Sequence, residues 1–151
     1  MTEALRRKAA IVGIGATAFS ANSGCSEQRL AAEAVLAALE DAGLGPDDVD
    51  GIVNSDFDAT NQIDVINTVG LRNIGSYAMI PHGGGSPCGT VAQAAMMVAS
   101  GASRCVVAYR SLNERSGHRY GSSEAIPTFP WVYGLHAPYG LIVPAEWTAM
   151  H

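Results

Sequence analysis

A chain of 151 residues, 48% hydrophobic and 15% charged, is long enough for one domain with a buried core, and it has the Gly- and Ala-rich texture of a tightly packed α/β protein. A net charge of −5 argues against general nucleic-acid binding. No apolar run approaches the ~20 residues of a membrane span, and the polar stretch Met1 to Lys8 leads into no signal-peptide core, so a cytoplasmic protein is expected. Cys25, Cys88 and Cys105 are odd in number and form no C-x-x-C pair, which points away from a disulfide framework and a zinc site.

Ala9 to Ile14 reads as a buried first strand. Ser26 is a good N-cap for a helix from Glu27 to Ala42, with Leu30, Ala34, Val35, Ala38 and Leu39 on one face and Gly43 as the stop. Pro46 to Val49 fits a single helical turn, Gly51 to Ser55 a second strand, and Gln62 to Val69 a second helix stopped by Gly70. Tyr77 to Pro81 reads as a third strand and Arg104 to Tyr109 as a fourth, with Cys105 as a core filler. Between them, Thr90 to Ala99 is almost all Ala, Val and Met. A helix apolar all round is expected to be buried on every side. Alternating strands and helices imply a mostly parallel sheet. After Ser111 the texture turns to Gly, Pro, Ser and aromatic residues, as in a loop excursion over a binding site. The predicted division is a core at 1–110 and an excursion at 111–151. Pro144 to His151 reads as a helix just starting, so a longer parent protein is expected.

The run Gly83-Gly84-Gly85-Ser86-Pro87-Cys88-Gly89-Thr90 follows a strand and opens a helix, a geometry that aims backbone N–H groups at a ligand. His82 stands beside it, as a surface polar residue or a functional one; His118 reads as exposed, and His136 lies in a loop-like stretch. The four histidines show no metal-ligand spacing. Gly13-x-Gly15-x-x-Ala18 matches the dinucleotide fingerprint after a strand, but the polar loop Ser20 to Cys25 separates it from its helix, so a simple glycine turn is the better reading. Ten acids and one base lie between Glu27 and Asp64, and four arginines and one acid between Arg104 and Arg119. The arginines are either a solvated face or an anchor for a phosphorylated ligand.

Several segments carry a family resemblance: Lys8 to Thr17, Leu30 to Val35 with Ala42-Gly43-Leu44 and Asp48 to Gly51, Gly83-Gly84-Gly85 with Cys88 and Thr90-Val91, Val106 to Arg110 with Asn113 to Gly117, and His136 to Ala145. Through them the chain resembles the N-terminal half of the thiolase superfamily, and within it the lipid-transfer-protein aldolases of steroid-CoA side chains. The resemblance implies a layered αβαβα fold of two similar halves, of which this is one, together with acyl-CoA substrates, a homodimer paired through the strand before the glycine turn, and an OB-fold/zinc-ribbon partner associated with a hydratase. It implies no cofactor apart from the coenzyme A of the substrate. It places Gly83, Gly84, Gly85, Ser86, Asn113 and Arg115 at the substrate. Counted back from Gly101, the superfamily's nucleophilic cysteine falls on Gly84, so retro-aldol cleavage of a β-hydroxyacyl-CoA is expected, with acid/base residues outside this chain. Cys88 and His82 are the catalytic candidates within it. Cys88 is expected as a packed thiol; the alternatives are a thiolase or acyltransferase using Cys88 as nucleophile, and a non-catalytic acyl-CoA or lipid carrier.

Overall fold

The structure, a computed structural model, describes residues 6–81, 85–113, 135, 137–141 and 144–149. Helix α1 spans Glu27–Ala42, followed by a 3-10 turn at Pro46–Asp48, strand β1 at Gly51–Ser55, helix α2 at Gln62–Val69, strand β2 at Ser76–Ile80, helix α3 at Ser86–Ala99 and strand β3 at Val106–Ala108. A 3-10 turn at Ala137–Tyr139 and the short helix α4 at Pro144–Ala149 complete the described elements. None of the described helices is long and apolar enough to cross a membrane.

The helix boundaries follow from capping. The Ser26 hydroxyl accepts the Arg29 N–H at 3.3 Å and the Asn61 side chain accepts that of Ile63 at 3.1 Å, each satisfying a donor that the first turn leaves over. Gly43 (φ 66°) and Gly70 (φ 82°) end α1 and α2 in the left-handed region, which costs glycine nothing.

The sheet is parallel with order β2–β1–β3; Gly51 stands opposite both Ser76 and Val106. Central β1 is buried along its whole length. Its Ile52 joins α1 and α2 in a core of Ala31, Val35, Leu39, Val65, Val69, Leu71 and Tyr109. A Cβ on Gly51 would meet Met97 of α3, so alternate residues of β1 face opposite helical layers. The result is one α/β unit with α1 and α2 on one face of the sheet and α3 on the other, the fold class that strand–helix alternation predicts.

Asp50 sets the start of all three strands. Its carboxylate accepts the N–H groups of Arg104 and Cys105, both at 2.9 Å, and its carbonyl accepts those of Gly75 and Ser76 at 3.0 and 3.3 Å. Burial works upward on this carboxyl, but the Cys105 and Arg104 N–H groups and the Arg104 guanidinium outweigh it and hold its pKa below the ordinary value. Cys105 packs against the core as expected, its thiol pushed up by burial and by Asp50 and Asp48.

Three expectations need correction. Residues 9–14 form no strand: Ile11, Val12 and Ile14 are 74%, 64% and 75% exposed. A strand needs a ladder partner, and among the described residues β3 pairs only with β1. The segment instead lies on α1, where a Cβ on Gly13 or Gly15 would fall on the carbonyl oxygens of Ala38 and Ala34, and the Ile14 N–H donates to Asp41 at 2.8 Å. The buried face of α1 is accordingly Ala31, Ala32, Val35 and Leu39, with Leu30, Ala34 and Ala38 only half-buried. Helix α3 starts at Ser86 rather than Thr90 and is not buried on every side. Only Ser86, Thr90 and Met97 are buried, while Val91 and Met96 stay open because the sheet covers one face alone.

Candidate functional site

In a parallel sheet, the ends where strands finish and helices begin collect ligands, because helix N-terminal N–H groups converge there. Here β1 and β3 end beside the first turns of α1, α2 and α3. Four groups of residues meet at this end.

The first is the opening of α3. Gly85 caps it without a side-chain hydrogen bond, and Pro87 takes an early helical position that needs no N–H. Ser86 is 1% exposed, and its hydroxyl lies 2.6 Å from that of Ser55 at the end of β1. Cys88, on the same turn, is exposed, which overturns the packed thiol expected from sequence: its side chain lies on the face of α3 turned away from the sheet.

The second is the loop after β1. Asp58 has a side chain with 0% exposure yet carries a carboxylate. It accepts the Ser55 N–H at 3.1 Å through one oxygen, and the Ser111 N–H at 3.2 Å through the other, with the Arg110 guanidinium 3.5 Å away. Burial pushes this carboxyl above its ordinary pKa, against the lowering effect of those donors.

The third is the exit of β3. Ser111 donates to the Glu27 carbonyl at 2.6 Å. Asn113 donates to the Cys25 carbonyl and accepts from the Ser23 hydroxyl, both at 2.8 Å. Residues 110–113, 15–21 and Ser23 line a groove of about 530 Å³ floored by Leu30 and Ala34 of α1.

The fourth is a polar patch within the core. Gln62 donates to the Asn54 side-chain oxygen and to the Ala78 carbonyl, both at 2.7 Å, which fixes the Asn54 amide so that its NH₂ finds no partner among the described residues. Nearby, Thr60 donates to the Tyr109 hydroxyl at 3.3 Å, and burial raises the Tyr109 pKa despite that bond.

The structure thus brings Gly85, Ser86, Cys88 and Asn113 to one end of the sheet. His82, Gly83, Gly84, Arg115, His118 and His136 lie outside the described residues. Arg104 and Arg110 stand at opposite ends of β3, one on Asp50 and one on Asp58, so these two do not form a joint phosphate anchor. Gly13 and Gly15 serve contact with α1, which accounts for the fingerprint-like spacing. No group of three or more His, Cys, Asp or Glu able to hold a metal occurs among the described residues. Asp58, Gln62 and the Ser55–Ser86 pair escape sequence reasoning. The signal available was Asn54-Ser55-Asp56, polar residues abruptly ending an apolar strand.

No protein-family model matches the chain. It is 50% identical over 147 residues to a steroid side-chain-cleaving aldolase of Thermomonospora curvata, a match covering 94% of this chain and 38% of that protein. It is 48% identical over 151 residues to a 17-hydroxy-3-oxo-4-pregnene-20-carboxyl-CoA lyase of Mycobacterium tuberculosis, covering 97% and 39% respectively. Among solved structures, an Ltp2-ChsH2(DUF35) aldolase superposes with a TM-score of 0.81 at 48% identity, over 93% of this chain and 36% of that one. Over nearly its whole length, then, the chain is similar in sequence and fold to steroid side-chain aldolases, of which it spans about two fifths.

Proposed function

We propose that this chain is the thiolase-like N-terminal part of a carbon–carbon lyase that cleaves a β-hydroxyacyl-CoA of the steroid side-chain type. The observation that carries the proposal is identity of about 50% to two proteins named for that chemistry, spread over nearly all of the chain. In the proposed reaction a base takes the proton of the β-hydroxyl group, the bond between Cα and Cβ breaks, and its electron pair moves into the thioester as an enolate. Protonation at Cα then releases a shorter acyl-CoA and a ketone. The glycine turn Gly83-Gly84-Gly85 with Ser86 serves as the donor set for the enolate oxygen, where preorganised N–H groups act most strongly. Asn113 and Arg115 are assigned to substrate binding. In this reading the acid and base come from polypeptide outside residues 1–151. No cofactor is needed beyond the coenzyme A of the substrate. Pairing of two copies along β2, an edge strand among the described residues, and an OB-fold/zinc-ribbon partner complete the assembly; a partner of some kind is in keeping with the two-component name of the structural relative.

The test uses the relative-length protein, with any partner, and a steroid-type β-hydroxyacyl-CoA, followed by mass spectrometry of ketone and acyl-CoA. Both products should form, Cys88→Ser should keep at least half the rate, and Gly84→Ala should lose about tenfold or more, as when one oxyanion donor is impaired. An acyl adduct on Cys88, with alkylation of Cys88 blocked by acyl-CoA and abolishing turnover, would assign thiolase chemistry instead. Stoichiometric binding without products would assign a carrier.

A further inference from the structure

The first turn of α3 and the segment 110–113 come from distant parts of the chain, and one side chain ties both together. We propose that Asp58 is a positioning residue that fixes these two walls of the site relative to each other. The proposal rests on the lyase reading only for the identity of the ligand.

The connections form an unbroken strap. One Asp58 oxygen takes the Ser55 N–H at 3.1 Å, and Ser55 presents its hydroxyl to that of Ser86 at 2.6 Å, reaching the α3 wall. The Phe57 N–H also donates to the Ser55 hydroxyl, at 3.2 Å, which holds the rotamer. The other Asp58 oxygen takes the Ser111 N–H at 3.2 Å, and Ser111 and Asn113 are in turn anchored on Glu27 and Cys25 by bonds of 2.6 and 2.8 Å. A fully buried carboxylate is a costly way to close a loop, since an apolar side chain of similar volume often stabilises as well or better. What the carboxylate supplies is two acceptor oxygens in fixed geometry, one on the Ser111 wall directly and one on Ser55, whose hydroxyl carries the link on to α3. An asparagine supplies one acceptor and turns an NH₂ group toward the second donor, so a single near-isosteric change releases one wall.

The test compares Asp58→Asn, Ser55→Ala and Arg110→Met in the relative-length protein by hydrogen exchange and by kinetics. Ser55→Ala keeps the N–H on Asp58 and removes the hydroxyl's bonds to Ser86 and to the Phe57 N–H, so exchange should quicken in 86–92, and locally at Phe57, but not in 109–113. Asp58→Asn should quicken exchange at least tenfold in one or both of these segments while α1 and α2 stay protected. It should also raise KM for the CoA thioester about tenfold, with kcat falling less. Arg110→Met keeps both N–H bonds and should change exchange in neither segment. The proposal is overturned if exchange changes stay within 55–60, if they spread evenly over the whole chain, or if kcat falls with the folded fraction at unchanged KM. Should Asp58→Asn fail to fold, Ser55→Ala decides alone: no selective change in 86–92 defeats the strap. Exchange needs no substrate, so an intact strap in a protein that cleaves no β-hydroxyacyl-CoA would reject the lyase reading and keep this one.

Discussion

Two buried or half-buried carboxylates at opposite ends of the sheet have opposite signs in the pH dependence of stability. Asp50 is held below its ordinary pKa; Asp58 is pushed above. A depressed folded pKa contributes stability that is present above the unfolded value, about 3.9, and is lost as pH falls through the folded one. A raised pKa does the reverse: the cost of burying the Asp58 charge accrues as pH rises above the unfolded value and is complete once pH exceeds the folded one. Asp50→Asn should therefore cost about 2 kcal/mol at pH 7, the scale of a hydrogen bond to a charged group. The cost should shrink below pH 4, where wild type loses the same contribution. Urea melts of both proteins at pH 7 and pH 3 check this; an unchanged gap at pH 3 would mean that the Asp50 charge is not what matters.

At the scale of elements, most of the architecture was legible. The caps Ser26, Gly43 and Gly70 and the spans of α2 and β1 are read locally from sequence, and the structure has them there. Two failures share one cause. Residues 9–14 and α3 carry the apolar pattern of fully buried elements, yet what would cover them is not encoded near them in sequence. The buried polar strap was illegible for a different reason: Ser55, Asp58, Ser86 and Ser111 are spaced without period, and only the fold brings them together. Helix α3 therefore presents Val91 at 48% and Met96 at 42% exposure to solvent, beside no other described apolar layer. In the 151-residue chain, Met96→Lys should leave stability within about 0.5 kcal/mol, as for a surface change. It should also reduce self-association in light scattering, since exposed apolar patches drive it. A loss of several kcal/mol would show that this face is already covered.

At the scale of the whole molecule, sheet pairing joins segments of very different separation. The β1–β2 pair is closed by α2 within a short crossover, whereas β1 and β3 pair across more than fifty residues, with Asp50 reaching Arg104 at a separation of 54. Closing the longer loop costs more entropy and is repaid only when β3 is seated. This predicts that β1, α2 and β2 gather first and that the Asp50 clamp closes on β3 after the folding barrier is crossed. A clamp of that kind governs how long the native state lasts rather than how fast it forms. In stopped-flow chevrons, Asp50→Asn should steepen neither limb, should leave the folding rate within about twofold, and should place most of its effect on a faster unfolding rate. A folding rate lowered in full proportion to the lost stability would instead put β3 in the nucleus.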